Sequence, residues 1–264
     1  MAHARQPALF IPHGGGPCFF MDDPRGVWTS MADLLRSLPS ILPETPKAIL
    51  LVSAHWETKG FAFTGNARPA LIYDYYNFPP HTYEIAYPAP GAPDLAERAA
   101  KLLRGADLQA VVDPDYGFDH GVFIPLKVAF PDADVPIVEM SVDASLDPAL
   151  HVAAGRALAP LRDEGVVIIG SGLSSHNLRA LGDPRFLAPS REFDDWLGNA
   201  VALDAEARAE KLAQWAAAPS ARISHPREEH LIPLMVAAGA GAGRGERIYN
   251  DEVLGSVVSA YRFD

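Results

Sequence analysis

Apolar residues follow two rhythms along this chain. Short apolar runs, the pattern of strands buried on both faces, occupy 7–13 (PALFIPH), 47–55 (KAILLVSAH), 108–113, 135–142 (VPIVEMSV), 165–172 (GVVIIGSG) and 256–263 (SVVSAYRF). Elsewhere apolar positions recur at helical spacing: over 25–38, over 92–105 with Gly105 placed to end the helix, over 122–130 and over 147–161. His151 falls in the middle of the last of these and reads as a surface residue. Beyond residue 190 the helical rhythm dominates. Residues 191–218 read as two helices parted near Asp204, a residue suited to cap the second, and 226–241 as a helix with Pro226 in its first turn. Alternating strand and helix predict an α/β fold. We expect a single domain over 1–264 with a central, mostly parallel sheet flanked by helices. The stretch 57–91, rich in Pro, Tyr and Asn, breaks both rhythms and reads as a lid or substrate-facing loop.

Composition narrows the picture. Of 264 residues 48% are apolar, enough for a substantial core. The net charge of −11, without a Lys/Arg cluster, argues against a nucleic-acid partner. One or two local arginines would still serve a small anionic substrate. The single cysteine, Cys18, excludes an internal disulfide and fits a reducing compartment. The first residues, MAHARQPALF, lack the apolar core of a secretory signal. No run approaches the ~18–20 apolar residues of a membrane helix. The expectation is a cytoplasmic protein without a membrane partner; the apolar strand 256–263 leaves a homodimer open.

The histidines carry the chemistry. His13 closes the first strand, directly before Gly14, Gly15, Gly16 and Pro17. His55 ends the second strand, and His176 follows the strand 165–172. Ligands of open α/β sheets bind beyond the carboxyl ends of the strands, so three strands bring imidazole to one edge. A single strand-end histidine is ordinarily a hydrogen-bonded structural residue; the repetition points instead to a metal. Imidazole favours Cu, Ni, Zn and Fe over Mg or Ca. Three protein ligands leave positions open, the mark of a catalytic rather than a structural ion. The glycines beside His13 let the backbone approach a bulky ligand. His225 and His230 lie around the start of the helix at 226–241, and His120 lies beside Gly121. His3 reads as part of an unstructured start.

The segments PHGGGP, SAHW, DHG, GSGLSSHN and EHLIPL, in this order, resemble the class III extradiol ring-cleaving dioxygenases, nearest the DOPA-4,5-dioxygenase-like branch. The resemblance covers roughly residues 8–263. It implies that His13, His55 and His230 hold the metal. His176 would be the acid/base, His120 would stand near the open metal face, and His225 would line the substrate pocket. The wider family completes a two-histidine, one-carboxylate triad. Here His230 takes the third position, with Glu228 and Glu229 just before it, and a Glu229 ligand would restore the ordinary triad. Three neutral ligands leave the site more positive, so Zn²⁺ stands beside Fe(II) as its metal. The implied substrates are a small catechol and O₂, and the product a muconic semialdehyde.

Further residues acquire expected roles around that site. Tyr75, amid Tyr73, Tyr76, Tyr83 and Tyr87, would stack on the substrate ring. Arg227, or Arg222, would pair with a substrate carboxylate. Asn177 would orient His176 or cap a turn. Two rival readings use the same residues: a zinc hydrolase with a metal-bound hydroxide, and a non-enzymatic binding protein of the same fold. Retention of His13, His55, His176 and His230 argues against the second.

Overall fold

The computed structural model describes residues 4–264, so His3 lies outside the described residues. Eight strands form one sheet: β1 (Ala8–Pro12), β2 (Ala48–Thr58), β3 (Phe61–Thr64), β4 (Ala110–Asp113), β5 (Ile137–Asp143), β6 (Val166–Gly172), β7 (Gly245–Val253) and β8 (Ser256–Phe263). Their order is β4-β3-β5-β2-β6-β1-β8-β7. The central neighbours β5, β2, β6 and β1 pair in parallel, and β3 with β4 likewise. Antiparallel pairing joins β3 to β5, β1 to β8 and β8 to β7. The expected α/β architecture is therefore present.

Period-two alternation divides the core between the two faces of the sheet. Phe10, Leu50, Val52 and Ile168 face one side. There they pack on α2 (Pro93–Gly105), α4 (Pro148–Leu158), α5 (Leu187–Val201) and α8 (Ile232–Ala240). Leu9, Ile11, Ile49, Leu51 and Ile169 face the other, against α1 (Thr29–Ile41) and α3 (His120–Ala129). The short helices α6 (Ala205–Ala213) and α7 (Ala221–Ser224) complete the α-helices among the described residues.

Four sequence expectations change. The stretch 57–91 contains a strand, β3, before its irregular part. The edge strand β7 was not expected at all. The helix expected from Pro226 begins only at Ile232, because the preceding residues turn to deliver His230. His151 is no surface residue. It is fully buried: its Nδ1 donates to the Asp147 carbonyl (2.6 Å) and its Nε2 accepts from the Asp143 amide (3.0 Å). The apolar character of β8 is used inside the sheet, between β1 and β7. Among the described residues no helix is long and apolar enough to cross a membrane.

Candidate metal centre

The parallel register of β1, β6 and β2 sets their carboxyl ends side by side, and the site lies just beyond them. His13 is the first residue after β1. His55 lies in β2 where its register with β5 shifts between Val52 and Glu57. His230 arrives from the other side, just before α8, and its backbone crosses β6 at Gly172. A Cβ at Gly172 would stand 2.1 Å from the His230 carbonyl oxygen, so only glycine admits this crossing. Gly14 turns the chain away from His13 with φ +82, where a Cβ would meet the Cys18 sulfur at 2.3 Å. Burial pushes the Cys18 thiol up to about 12, which leaves it an inert packing residue.

One ligand nitrogen from each of His13, His55 and His230 lies within 4.8 Å of the others. His13 Nε2 and His55 Nε2 are 3.2 Å apart, a separation suited to two ligands each about 2.1 Å from one ion. The partners of the other ring nitrogens fix the tautomers. Ser171 Oγ donates its one proton to the Gly121 carbonyl (2.6 Å), so it accepts from His13 Nδ1 at 3.1 Å. His230 Nδ1 donates to Glu229 Oε1 at 2.9 Å. His55 Nδ1 stands 3.6 Å from Asp74 Oδ2. Each Nδ1 thus faces an acceptor and each Nε2 lone pair is left for an ion, as in most histidine metal sites.

Electrostatics agree with this arrangement. Burial, reinforced by the neighbouring imidazoles, holds His13 and His230 well below the ordinary histidine range. Burial and His120 lower His55 to about 4. The three rings are therefore neutral at pH 7, the form that binds metal. Burial would raise the Glu229 carboxyl, but hydrogen bonds from His176 and His230 outweigh it and hold the group ionised. Glu229 faces the outer nitrogen of His230, and the group His13, His55 and His230 offers three nitrogens; His55, Asp74 and His120, and His176, Glu229 and His230, are two further groups close enough to hold an ion. These residues fit a divalent transition metal.

His176 and His120 flank the three. The His176 ring stacks on His230 with centroids 3.5 Å apart, and its Nδ1 is 3.4 Å from Glu229 Oε1. His120, the first residue of α3, is gripped by Asp74, whose Oδ1 accepts from its backbone amide (2.9 Å) and its Nδ1 (2.8 Å). The Asp74 carboxyl lies below its usual range; burial opposes this, but the His120 hydrogen bonds prevail. Sequence reasoning did not single out Asp74 or Ser171. Both work through partners distant in the chain, and neither belongs to a recognisable spacing.

A cavity of about 480 Å³ opens over the five histidines. Tyr75 lines it, as expected, although its hydroxyl is turned to the Thr82 carbonyl at 2.6 Å. Tyr76 lines it too, whereas Tyr73 and Tyr87 point their hydroxyls at backbone carbonyls in the packed loop.

Two residues expected to meet the substrate lie outside the cavity lining. His225 is fully buried behind the site between Phe193 and Trp215, with Nε2 donating to the Ser174 carbonyl at 2.9 Å. Arg227 is outside the cavity lining and forks onto Glu57 at 2.5 and 2.6 Å. Arg222 is likewise engaged, by Glu228. Asn177 caps a turn: its Oδ1 accepts from the Arg179 amide and its Nδ2 donates to the Ile223 carbonyl.

Fold and site together define an α/β protein with a histidine cluster able to hold a metal at the floor of a cavity. Residues 7–262 match the family described as the catalytic LigB subunit of aromatic ring-opening dioxygenase, and the chain belongs to that family. It is 42% identical to a dioxygenase, TasH, of Hapsidospora irregularis, covering 97% of this chain and 84% of that one. It is 39% identical to the 4,5-DOPA dioxygenase extradiol of Beta vulgaris, over 92% of this chain and 90% of the relative. A solved structure of an uncharacterised Escherichia coli K12 protein superimposes with a TM-score of 0.79 at 31% identity, covering 98% of this chain and 100% of the other. The protein is an extradiol ring-opening dioxygenase, a metal-dependent enzyme of this family.

Proposed function

We propose that the enzyme is Fe(II)-dependent and opens the ring of a catechol with O₂, giving a muconic semialdehyde that contains both oxygen atoms. The observation that carries this reading is the convergence of three neutral imidazoles, each with Nδ1 facing an acceptor, at the floor of a cavity flanked by two further histidines. His13, His55 and His230 hold the ion. Ferrous iron held there supplies acidity toward the catechol hydroxyls and a path for electrons to O₂.

The remaining residues position the substrate and move protons. His176 acts as general base. Its Nδ1 faces Glu229, so its Nε2 takes the proton from a catechol hydroxyl, and Glu229 stabilises the imidazolium that results. His120, held by Asp74 at Nδ1, also lines the cavity and donates a proton there when protonated. Tyr75 packs its ring edge beside His120, with centroids 5.7 Å apart, and confines the aromatic substrate.

The test is oxygen uptake by protein stripped of metal and reloaded anaerobically with Fe(II) or Zn²⁺. Stoichiometric O₂ consumption with a yellow ring-opened product in the Fe(II) sample alone is expected. A reaction that proceeds with Zn²⁺ without O₂ would replace this reading with the zinc hydrolase.

A further inference from the structure

The walls of the cavity differ sharply from its floor. Trp28 and Met31 come from the start of α1, Leu173 follows β6, Leu178 and Leu181 come from the segment after His176, and Val258 comes from β8. Among the described residues that line the cavity there is no Lys, Arg, Asp or Glu. The apolar character continues to the mouth, where Tyr76, Leu178 and Leu181 remain 78%, 68% and 50% exposed. Exposed apolar side chains gathered at the rim of a cavity mark a surface that meets an apolar ligand.

The charged residues close to the site act against an anionic substituent. Arg227 is held by Glu57 and Glu229, and Arg222 by Glu228. The carboxylates of Asp74 and Glu229 back the histidines. A substrate carboxylate sent along the walls would find the side chains of Ser175, Asn177 and Ser256 amid hydrocarbon but no partner cation, a costly transfer. The volume points the same way. A cavity of roughly 150 Å³ accommodates one benzene ring, and this one measures about 480 Å³. A catechol on the histidine floor leaves room for a substituent at least as large as its own ring.

We propose that the natural substrate is a catechol bearing a bulky, uncharged, apolar substituent, held by the Trp28, Met31, Leu173, Leu178, Leu181 and Val258 wall, and not an amino-acid or carboxylate catechol. This rests on the extradiol reading of the same site. Leu178 determines the selectivity at the mouth, where a substituent leaves the histidine floor.

Two measurements separate the proposal from the reading beneath it. The first is kcat/KM of the Fe(II)-loaded enzyme for 4-phenylcatechol, L-DOPA and 3,4-dihydroxyphenylacetate. The second is calorimetric binding of the same three compounds to the Zn²⁺-loaded protein without O₂. A preference for 4-phenylcatechol of at least tenfold in both is expected, since single methylene differences in apolar pockets already reach about tenfold. Equal or better binding of either carboxylate overturns the proposal. Preferential binding of 4-phenylcatechol without ring opening supports the substrate class and overturns the extradiol reading. Leu178→Arg, at an exposed position, is expected to shift the preference at least tenfold toward 3,4-dihydroxyphenylacetate. An unchanged preference in that variant removes Leu178 from the specificity role.

Discussion

The imidazole of His176 lies face to face with that of His230, centroids 3.5 Å apart and planes 22° from parallel, while both Nδ1 atoms address Glu229 Oε1. In the proposed mechanism the two histidines share a support but not a role. His176→Ala should therefore keep most of the bound metal and lose about 10²–10⁴-fold in kcat, the usual cost of a lost acid/base group. His13→Ala and His55→Ala should lose metal and turnover together. Metal content by plasma emission beside kcat decides the matter, and equal metal loss in all three variants would make His176 a ligand.

Asp74 reaches two histidines at once, His120 through Oδ1 and His55 through Oδ2. Asp74→Asn removes the charge that fixes both rings. A fall of about 10–100-fold in activity or metal affinity is expected, typical of carboxylates behind metal histidines. Ser171→Ala should act similarly through His13 alone. Competition for the ion with a chelator of known affinity, alongside steady-state rates, would measure both variants.

Behind His55 the chain buries two carboxyls against each other. Burial and the adjacent Asp119 push the Glu139 carboxyl well above its usual range, which favours its protonated form. Its Oε2 accepts from the Asp119 amide at 3.2 Å, while Ser53 Oγ donates to Asp119 Oδ1 at 2.8 Å. Glu139→Gln, neutral and of the same shape, should change stability by no more than about 1 kcal/mol. Glu139→Ala leaves a cavity and unpaired polar groups, and should cost roughly 2–4 kcal/mol. Urea midpoints compared at pH 7 would check the contrast.

Two buried histidines outside the metal set should make the stability of the metal-free protein depend on pH. Burial lowers His225 to about 4 and also lowers His151. In the unfolded chain each titrates near pH 6.5. Between pH 6.5 and about 4 the unfolded chain binds a proton at position 225 that the folded chain refuses. The His225 contribution is whole above pH 6.5 and is lost as pH falls through that window, by at most about 1.4 kcal/mol per pH unit, and the His151 contribution is lost in the same direction. His225→Gln and His151→Gln should each flatten the acid limb of a plot of urea midpoint against pH. A limb as steep as that of the parent would refute the assignment.

Much of this arrangement was legible in the sequence because buried strands and strand-end histidines leave strong local marks. His13 and His55 sit where an apolar run stops, and the divided core follows from simple alternation along β1, β2 and β6. What was missed lacks such marks. The β3 segment has four residues, within a stretch otherwise irregular. The β7 segment is a polar edge strand, exposed along one side and paired only with β8, so no apolar run announces it. Asp74 and Ser171 matter through partners fixed by the tertiary fold. Arg227 and His225 look suited to a substrate when read beside His230. In space, however, one is tied to Glu57 and the other lies under the site.

The adjacency of β1, β6 and β2 has a kinetic consequence. His13, His55 and His230 are distant along the chain and meet only once two non-local parallel pairings have formed and the His230 backbone has crossed Gly172. Such pairings close late, because the entropy of long loops must be overcome before their contacts stabilise anything. Until those pairings form, the three nitrogens are apart, so an ion held by all three needs this part of the sheet in place. Metal capture by these three histidines would thus report that the sheet has been assembled in register, and a misregistered chain would stay apo.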